Sequence, residues 1–227
     1  MTRGDAGSLG VFGGTFNPIH LGHLRAAEQV VEVLGLERLL FVPSGAPPHK
    51  GSGALAPAEL RFEWVERSIA DNEHFEVDAL ELRRQGPSYT VDTLREIGER
   101  TARARPIFVI GNDALREIAT WREPAAVLAL AHVAVMARPE PHGDGAGTDL
   151  RDLFPSELAA AYEFAEGGRS GRHRSSDVWI RWLPIEPLDI SATDIRARLQ
   201  AGNSIRYLVP ECILDSVISC WTEAHNS

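Results

Sequence analysis

A short apolar run that leads through two glycines into an amphipathic helix is the feature that most constrains the fold of this chain. Residues 9–12 are apolar, Gly13 and Gly14 follow, and apolar residues then recur at helical intervals up to Gly35: Leu24, Ala27, Val30, Val31 and Leu34. Paired glycines allow a tight turn, and the first turn of a helix offers unpaired N–H groups and the positive end of its dipole to an anion. The segment predicts a strand–turn–helix unit with an anion site at the turn.

The rest of the chain alternates short apolar runs with amphipathic segments. The apolar runs are typical of buried parallel strands and lie at 39–43, 106–110, 132–137 and 178–183. Weaker helical patterns lie at 58–70, 90–100 and 124–130. This alternation predicts an α/β fold with a doubly wound, mainly parallel, Rossmann-like sheet.

Both ends of the chain and one internal stretch depart from the alternation. Residues 1–8 are polar, which predicts a flexible tail, while an N-cap pattern at 191–194 predicts a small C-terminal helical part over 190–227. Residues 139–177 begin with Pro and Gly and contain only a short helical pattern near 158–164, so we interpret them as an insertion or surface excursion. A chain of 227 residues with this organisation is predicted to form a single domain, 1–227.

Composition limits the partners and the location of the protein. A formal net charge of −9 argues against a broad basic surface for nucleic acid or a membrane and leaves only local cationic pockets for small anions. The N-terminus does not resemble a signal peptide, and the sequence has no apolar run long enough to span a bilayer. Cys212 and Cys220 fit neither a disulfide framework nor a zinc site, so we expect core-facing thiols and a cytoplasmic protein. The sequence leaves open whether the protein forms a homo-oligomer.

Two histidines follow the paired glycines, in the run His20-Leu21-Gly22-His23. A spacing of three at the start of a helix directs both rings toward one side. The chain has no phosphate-binding loop that ends in Gly-Lys-Ser/Thr, and its first glycines do not form G-x-G-x-x-G, so the usual kinase and dinucleotide interpretations lose their main support. An incidental surface pair of histidines is the alternative to a different phosphate site.

Residues 9–23 resemble the nucleotidyltransferase superfamily, whose T/HxGH signature here reads His20-Leu21-Gly22-His23. Further segments resemble the bacterial nicotinate-nucleotide adenylyltransferase family: VPSGAPPHK at 42–50, ELRRQGPSYT at 81–90, IGND at 110–113 with Thr120-Trp121, and ISATDIR at 190–196. These matches extend over almost the whole chain and are weakest at 139–177. Together they are far more specific than the first motif, which many transferases share.

The resemblance implies an enzyme of NAD biosynthesis that transfers AMP from ATP to nicotinate mononucleotide, releasing nicotinate adenine dinucleotide and pyrophosphate. Mg²⁺ accompanies the ATP, and no residue is assigned as a metal ligand. The implied mechanism is direct in-line attack by the mononucleotide phosphate, which is already largely ionised near neutral pH, so a general base is dispensable. We expect His20 and His23 to stabilise transition-state charge, with Lys50 and Arg196 completing the catalytic set.

The residues expected to bind ATP surround the two predicted helix N-termini. At the second N-terminus, near residue 191, hydroxyls, N–H groups and a guanidinium come together. Asp113 instead follows the end of a strand, where its alternative role is a simple helix N-cap. Phe16 is included although its side chain is expected to pack. The expected ATP-binding residues are Gly13, Gly14, Thr15, Phe16, His20, His23, Gly111, Asp113, Ser191, Thr193 and Arg196.

A second set is expected to bind nicotinate mononucleotide. By the resemblance, the backbone N–H groups of residues 88–90 and the Thr90 side chain receive the pyridine carboxylate, and Trp121 stacks on the ring. Arg122 departs from the family, in which an aromatic residue or His commonly follows this Trp, and it either pairs with the substrate carboxylate or points into solvent. The expected mononucleotide-binding residues are Asn17, Lys50, Ser88, Tyr89, Thr90, Trp121 and Arg122.

Two other functions are weighed against this one. The first is adenylyl or cytidylyl transfer to another phosphate acceptor such as phosphopantetheine, which the segment 88–90 and Trp121 oppose. The second is a nucleotide-sensing module that has lost catalysis, which the intact His20, His23, Lys50 and Arg196 oppose.

Overall fold

The structure, a computed structural model, describes residues 8–47, 55–101, 105–136, 149–186 and 188–223. These residues form one sheet whose eight strands are β1 Leu9–Gly14, β2 Arg38–Pro43, β3 Phe75–Val77, β4 Ile107–Gly111, β5 His132–Met136, β6 Tyr162–Phe164, β7 Ser170–His173 and β8 Trp179–Leu183. The α-helices in the described ranges are α1 Leu21–Leu34, α2 Ala58–Ile69, α3 Thr90–Arg100, α4 Asn112–Arg116, α5 Pro124–Leu130, α6 Ser156–Ala159, α7 Ala192–Gln200 and α8 Leu214–Glu223.

The strand order is β3-β2-β1-β4-β5-β8-β7-β6. The first six of these strands are parallel, and β7 and β6 are antiparallel additions at one edge. The chain moves outward from β1 to β3 and then returns to the other side of β1 at β4. Ligands of open α/β sheets bind outside the carboxyl ends of the strands at such a reversal, so the crevice between β1 and β4 is the expected site. The doubly wound, mainly parallel sheet predicted from the sequence is confirmed.

Local sequence accounts for the β1–α1 unit. Gly10 lets β1 lie close to β2, because a Cβ there would approach the Leu39 side chain to 2.5 Å. Helix α1 buries one face against the sheet and ends at Gly35, whose φ of 61° is the left-handed conformation that glycine adopts without strain. The predicted strand, turn and helix are all present.

The C-terminal helical part is attached to the sheet through α2. Trp64 and Trp221 stack with ring centroids 5.6 Å apart, and Trp64 Nε1 donates to Ser216 Oγ at 2.9 Å. Trp64 is fully buried, so this contact packs α8 against α2. The predicted small C-terminal helical part is confirmed, and its two α-helices are α7 and α8.

Several local expectations differ from the structure. The segment 149–177 contains buried Leu150 and Tyr162 and supplies β6 and β7, which extend the sheet. The last three residues of the short helical pattern near 158–164 are strand. Strand β3 was not predicted, because it has only three residues, of which Glu76 is exposed and the other two are partly buried. Cys212 is exposed, so the expectation of two core-facing thiols is wrong for it. The predicted tail lies outside the described residues except for Ser8. None of the described helices is both long enough and apolar enough to cross a bilayer.

Candidate active site

A cavity of about 350 Å³ opens at the carboxyl ends of β1 and β4. Its wall is mostly apolar, with backbone from the β1 turn on one side and the start of α3 on the other. The sequence-predicted residues that line it are Gly13, Gly14, Thr15, Ser88, Tyr89, Thr90, Gly111, Trp121 and Arg122. A largely apolar cleft with a few convergent polar groups at this position in an α/β sheet is typical of a small-molecule site.

The His20 and His23 rings stack at the start of α1, with centroids 3.6 Å apart and planes inclined by 24°. His20 is the N-cap residue, and its Nδ1 accepts the His23 backbone N–H at 3.3 Å. His23 Nδ1 in turn accepts the His20 backbone N–H at 3.3 Å. The two imidazoles therefore form a reciprocal capping box, a role in which side chains other than histidine are usual.

This capping box determines which ring nitrogen of each histidine carries the proton. A neutral imidazole whose Nδ1 accepts a hydrogen bond carries its proton on Nε2 and is a donor there. His20 is buried and His23 packs edge-on against the buried Phe16 ring at 5.2 Å, so both rings are held in orientation. The pair is thus preorganised as neutral Nε2–H donors, which suits the stabilisation of an anionic transition state.

The backbone N–H groups at the start of α1 are less available than the sequence suggests. The Leu21 N–H donates to the Leu208 carbonyl at 2.9 Å, and the His23 N–H is used within the capping box. The expected row of unpaired N–H groups is therefore partly wrong, because the turn before Val209 and the imidazoles already cap the helix. Any anion bound here meets side-chain donors first.

The second predicted helix N-terminus, that of α7, lies beside the first. A Cβ added to Gly22 would lie 3.0 Å from His20 Nδ1 and 3.3 Å from the Ile190 carbonyl oxygen. Ser191 is the N-cap of α7, and its Oγ accepts the Asp194 N–H at 3.0 Å. The glycine of the HxGH motif thus allows the histidine pair and the α7 N-terminus to approach each other.

Arg196 connects α7 to the loop that follows β1. Its Nη1 donates to the Asn17 carbonyl at 2.8 Å and its Nη2 donates to Thr193 Oγ1 at 3.1 Å. Partial burial lowers the pKa of the Arg196 guanidinium from its usual value, although an arginine remains charged at neutral pH. A cation and a hydroxyl are therefore held together next to the histidine pair.

Asn17 and Phe16 have internal positions. Asn17 Oδ1 accepts the Ala56 N–H at 3.0 Å, and the Asn17 side chain is only 4% exposed. The Phe16 side chain is buried among aromatic rings, as expected, with a backbone φ of 46°. Neither side chain lines the cavity, so a ligand bound there would contact Phe16 and Asn17 only through their backbone.

The far end of the cavity carries the aromatic residues. Trp121 is partly exposed, packs edge-on against Phe108 at 6.2 Å and lines the cavity together with residues of β4 and α3. The Arg122 guanidinium lies over the Tyr89 ring at 4.8 Å and pairs with Asp92 at 3.6 Å. Arg122 is thus held as a cation at the rim of the cavity. This position does not decide between the two roles considered from the sequence, which are pairing with the substrate carboxylate and pointing into solvent.

Ser88 lines the cavity but is engaged internally. Its Oγ accepts the Gly45 and Ala46 N–H groups, both at 3.1 Å, and its own N–H donates to the Ala46 carbonyl at 2.9 Å. Ser88 therefore joins the start of α3 to the loop after β2. Tyr89 is the N-cap residue of α3 and Thr90 is its first residue, so the α3 N-terminus faces the cavity.

Glu81 and Thr93 are cavity residues that the sequence analysis did not select. Thr93 Oγ1 donates to Glu81 Oε1 at 2.6 Å, and Arg84 Nη1 donates to Thr93 Oγ1 at 2.9 Å. Burial raises the pKa of the Glu81 carboxyl, and hydrogen bonds from Thr93 and Ser88 offset part of that shift. Glu81 opens the ELRRQGPSYT motif, so its motif position was the available signal.

Asp113 is exposed in the first turn of the five-residue helix α4. The alternative role considered for it, the helix N-cap, is wrong because Gly111 occupies that position. The buried Asn112 side chain accepts the Asp113 N–H at 3.0 Å. Lys50, expected in both the catalytic and the mononucleotide sets, lies outside the described residues.

Comparison with known proteins identifies the family. The cytidylyltransferase-like family model matches residues 11–198. A relative from Desulfitobacterium hafniense (strain Y51), named "Probable nicotinate-nucleotide adenylyltransferase", is 42% identical over 207 residues, which cover 90% of each chain. A relative of the same name from Geobacter sulfurreducens is 39% identical and covers 90% of this chain and 92% of its own. The chain belongs to the nicotinate-nucleotide adenylyltransferase family.

Solved structures share the fold of this family member. The Plasmodium falciparum nicotinic acid mononucleotide adenylyltransferase complexed with NaAD superposes with a TM-score of 0.69 at 16% identity, covering 94% of this chain and 95% of that one. The same Plasmodium falciparum enzyme complexed with APC gives a TM-score of 0.66 at 15% identity. The chain therefore shares the Rossmann-like fold of these structures.

Proposed function

We propose that this protein transfers AMP from ATP to nicotinate mononucleotide in NAD biosynthesis. An oxygen of the mononucleotide phosphate attacks the α-phosphorus of ATP, the bond from that phosphorus to the β-phosphate oxygen breaks, and pyrophosphate leaves. The products are nicotinate adenine dinucleotide and pyrophosphate. The observation that carries the proposal is the stacked, reciprocally capped pair of His20 and His23 at the start of α1, which follows the β1 turn that lines the cavity. Trp121 lines the same cavity.

The two rings suit this reaction because no proton has to be removed from the nucleophile. Charge builds on the oxygens of the α-phosphorus and on the departing pyrophosphate, and fixed donors stabilise that charge without reorganising. The Nδ1 atom of each neutral imidazole already accepts a backbone N–H, so neither ring can act as a base through that atom. We therefore assign His20 and His23 to charge stabilisation and positioning.

The neighbouring groups divide into an ATP side and a mononucleotide side. On the ATP side, Ser191, Thr193 and Arg196 surround the α7 N-terminus, next to Gly22. On the mononucleotide side, the α3 N-terminus at Thr90 receives the pyridine carboxylate and Trp121 stacks on the ring. Arg122 at the rim, which pairs with Asp92 and Glu123, is proposed to interact with the pyridine carboxylate and so to favour an acidic pyridine over its amide. Lys50 is proposed to contact the phosphates.

Mg²⁺ enters this proposal as part of the substrate, MgATP. In the described ranges, no group of three or more His, Cys, Asp or Glu side chains is arranged to hold a metal ion. The Arg196 guanidinium and the N–H groups of the imidazoles are donors, which fit phosphate oxygens better than a divalent cation. The ion bound to the triphosphate neutralises part of its charge.

Parallel assays with three acceptors test the proposal. Purified protein is incubated with MgATP and either nicotinate mononucleotide, nicotinamide mononucleotide or phosphopantetheine, and pyrophosphate release is measured together with the dinucleotide product. We expect the highest kcat/KM with nicotinate mononucleotide. Faster turnover with phosphopantetheine, or nucleotide binding without turnover on any acceptor, would refute the proposal. Faster turnover with the amide would refute the assignment of Thr90 and Arg122 to the carboxylate.

A further inference from the structure

We infer that Arg61 is a positioning residue that holds the loop after β1 and the loop after β2 in one fixed arrangement around the substrates. The inference rests on the proposed function and deepens it, because both loops border the cavity through Thr15 and Ser44. Arg61 lies in α2 and its side chain does not line that cavity.

The guanidinium of Arg61 is fully buried and hydrogen bonds to three separate stretches of backbone. Nη1 donates to the Thr15 carbonyl at 2.7 Å and Nη2 donates to the Gly45 carbonyl at 3.2 Å. Nε donates to the Ala56 carbonyl at 3.0 Å, in the segment that leads into α2. The planar fork of arginine thus joins the loop after β1 to both ends of the connection between β2 and α2.

These hydrogen bonds determine which way the loop peptides face. The C=O and N–H of a trans peptide unit point in opposite directions. Because Arg61 draws the Thr15 carbonyl inward, the following N–H, that of Phe16, is directed away from α2. The Gly45 carbonyl is oriented in the same way, and the following Ala46 N–H donates to Ser88 Oγ at 3.1 Å on the cavity wall. Carbonyl oxygens that would repel phosphate are thereby turned away from it.

The charge of Arg61 argues against a purely packing role. Burial is the main cause that lowers the pKa of its guanidinium, and Glu59 and Glu81 oppose that shift only through longer-range attraction. Buried cations are costly, and apolar residues of similar volume often replace them without loss of stability. The other buried residues on this face of α2 are indeed apolar, including Trp64 and Val65. A site that receives several phosphates, by contrast, benefits from a nearby fixed cation.

Three variants separate positioning from simple stability. Arg61→Met keeps the side-chain volume and loses the fork, Arg61→Lys keeps the charge, and Arg67→Met is the matched control on the exposed side of the same helix. Arg67 also donates to a backbone carbonyl, that of Cys212, but far from the cavity. Assays are run well below each unfolding midpoint, and activity is expressed per folded molecule from circular dichroism.

We expect kcat/KM to fall about 100-fold in Arg61→Met, mainly through kcat, since small misplacements of reacting groups have effects of this size. We expect about a tenfold loss in Arg61→Lys and less than about a twofold change in Arg67→Met. In Arg61→Ala, added ethylguanidinium should restore activity about tenfold, and the same concentration of ethylammonium should not. Rescue of kcat by the planar cation alone is a result that a packing role does not predict.

Amide hydrogen exchange provides a readout that does not depend on turnover. Peptides covering 13–17 and 44–47 should exchange faster in Arg61→Lys and Arg61→Met than in the wild type, and should be unchanged in Arg67→Met. If folded Arg61→Met retains kcat/KM within about threefold of the wild type, the inference is refuted while the proposed function stands. If the wild type itself shows no turnover, the proposed function fails, and unchanged exchange in the Arg61 variants would refute the anchoring as well.

Discussion

Gly22 and Ile190 bring the N-termini of α1 and α7 together, since a Cβ on Gly22 would lie 3.3 Å from the Ile190 carbonyl oxygen and 3.0 Å from His20 Nδ1. The HxGH motif therefore needs its glycine for space, because any side chain there presses on both the histidine ring and the ATP-side helix. This contact explains how two short motifs that are distant in sequence form one phosphate site.

Replacement of Gly22 by alanine tests this contact without removing a polar group. We expect Gly22→Ala to lower kcat about 10- to 100-fold, because the His20 ring or α7 must shift by a few tenths of an ångström. Gly98→Ala in α3 is the control, since a Cβ there meets nothing within 4 Å. The control should gain about 0.5–1 kcal/mol of stability, as expected for Gly to Ala in a helix, with unchanged activity. Equal activity of the two variants would contradict the contact.

Nδ1 of His23 accepts the His20 N–H in the helix cap, and Nε2 of His23 is proposed to donate to the transition state. Two substitutions distinguish these roles. His23→Asn keeps an oxygen acceptor for the His20 N–H but removes the donor at Nε2, so it should fold with a stability within about 0.5 kcal/mol of the wild type and lose about 100- to 1000-fold in kcat. His23→Ala should lose similar activity and about 1 kcal/mol of stability, because the cap is lost too. Chemical denaturation and steady-state kinetics measure both. Substantial activity in His23→Asn would refute the donor role.

Trp121 is expected to act on binding of the mononucleotide. Trp121→Ala should raise the KM for nicotinate mononucleotide about tenfold, since aromatic stacking contributes on the order of 1 kcal/mol, with little change in the KM for ATP. The KM of Trp121→Phe for nicotinate mononucleotide should lie between those of the wild type and Trp121→Ala. Trp179→Ala, at the amino end of β8, is the control and should reduce stability without changing either KM. A Trp121→Ala variant whose two KM values rise together would contradict the assignment.

His132 predicts a pH dependence of stability that is unrelated to the site. It stacks on Trp179 at 4.8 Å, its Nδ1 accepts the Trp179 N–H at 3.0 Å, and burial lowers its pKa from 6.5 to about 4. The unfolded chain therefore takes up a proton that the folded chain does not between pH 6.5 and about 4, so stability falls as the pH is lowered through this window. The loss by pH 5 should be roughly 1–2 kcal/mol.

Denaturant unfolding of His132→Phe at pH 7 and pH 5 measures this effect. The variant should have lower stability at pH 7, because the Trp179 N–H loses its acceptor, but a weaker dependence on pH. His74→Phe serves as the control, since His74 is partly exposed at the surface. An unchanged pH dependence in His132→Phe would show that His132 is not the group responsible.

Much of the fold could be predicted from local sequence, and the exceptions have physical causes. Strands β1, β2, β4 and β5 are largely apolar runs that local sequence identifies, because both faces of a parallel sheet are covered. The apolar residues of β8 identify it as well, although the exposed Arg181 interrupts them. The edge strands β3 and β6, and β7 next to β6, have three or four residues each, and pairing with neighbouring strands stabilises them. Local patterns do not report such pairing.

The residues of the candidate site divide in the same way, into those that local sequence identifies and those that only the assembled structure reveals. His20, His23, Ser191 and Trp121 were selected because they stand in recognisable motifs. Arg61 was missed, although its position in the helical pattern is a signal. It is a charged residue on the same face of α2 as the apolar residues Trp64, Val65 and Ile69. Its role depends on which carbonyls surround it, and only the assembled loops reveal that.

The stereochemistry of transfer tests the central claim most directly. The protein is given nicotinate mononucleotide and an ATP analogue with one sulfur of known configuration at the α-phosphorus, and the configuration of the dinucleotide product is determined. Direct in-line attack at the histidine pair predicts inversion at phosphorus. Retention would require a covalent enzyme intermediate and would contradict the account, as would the absence of any dinucleotide when unmodified MgATP is the donor.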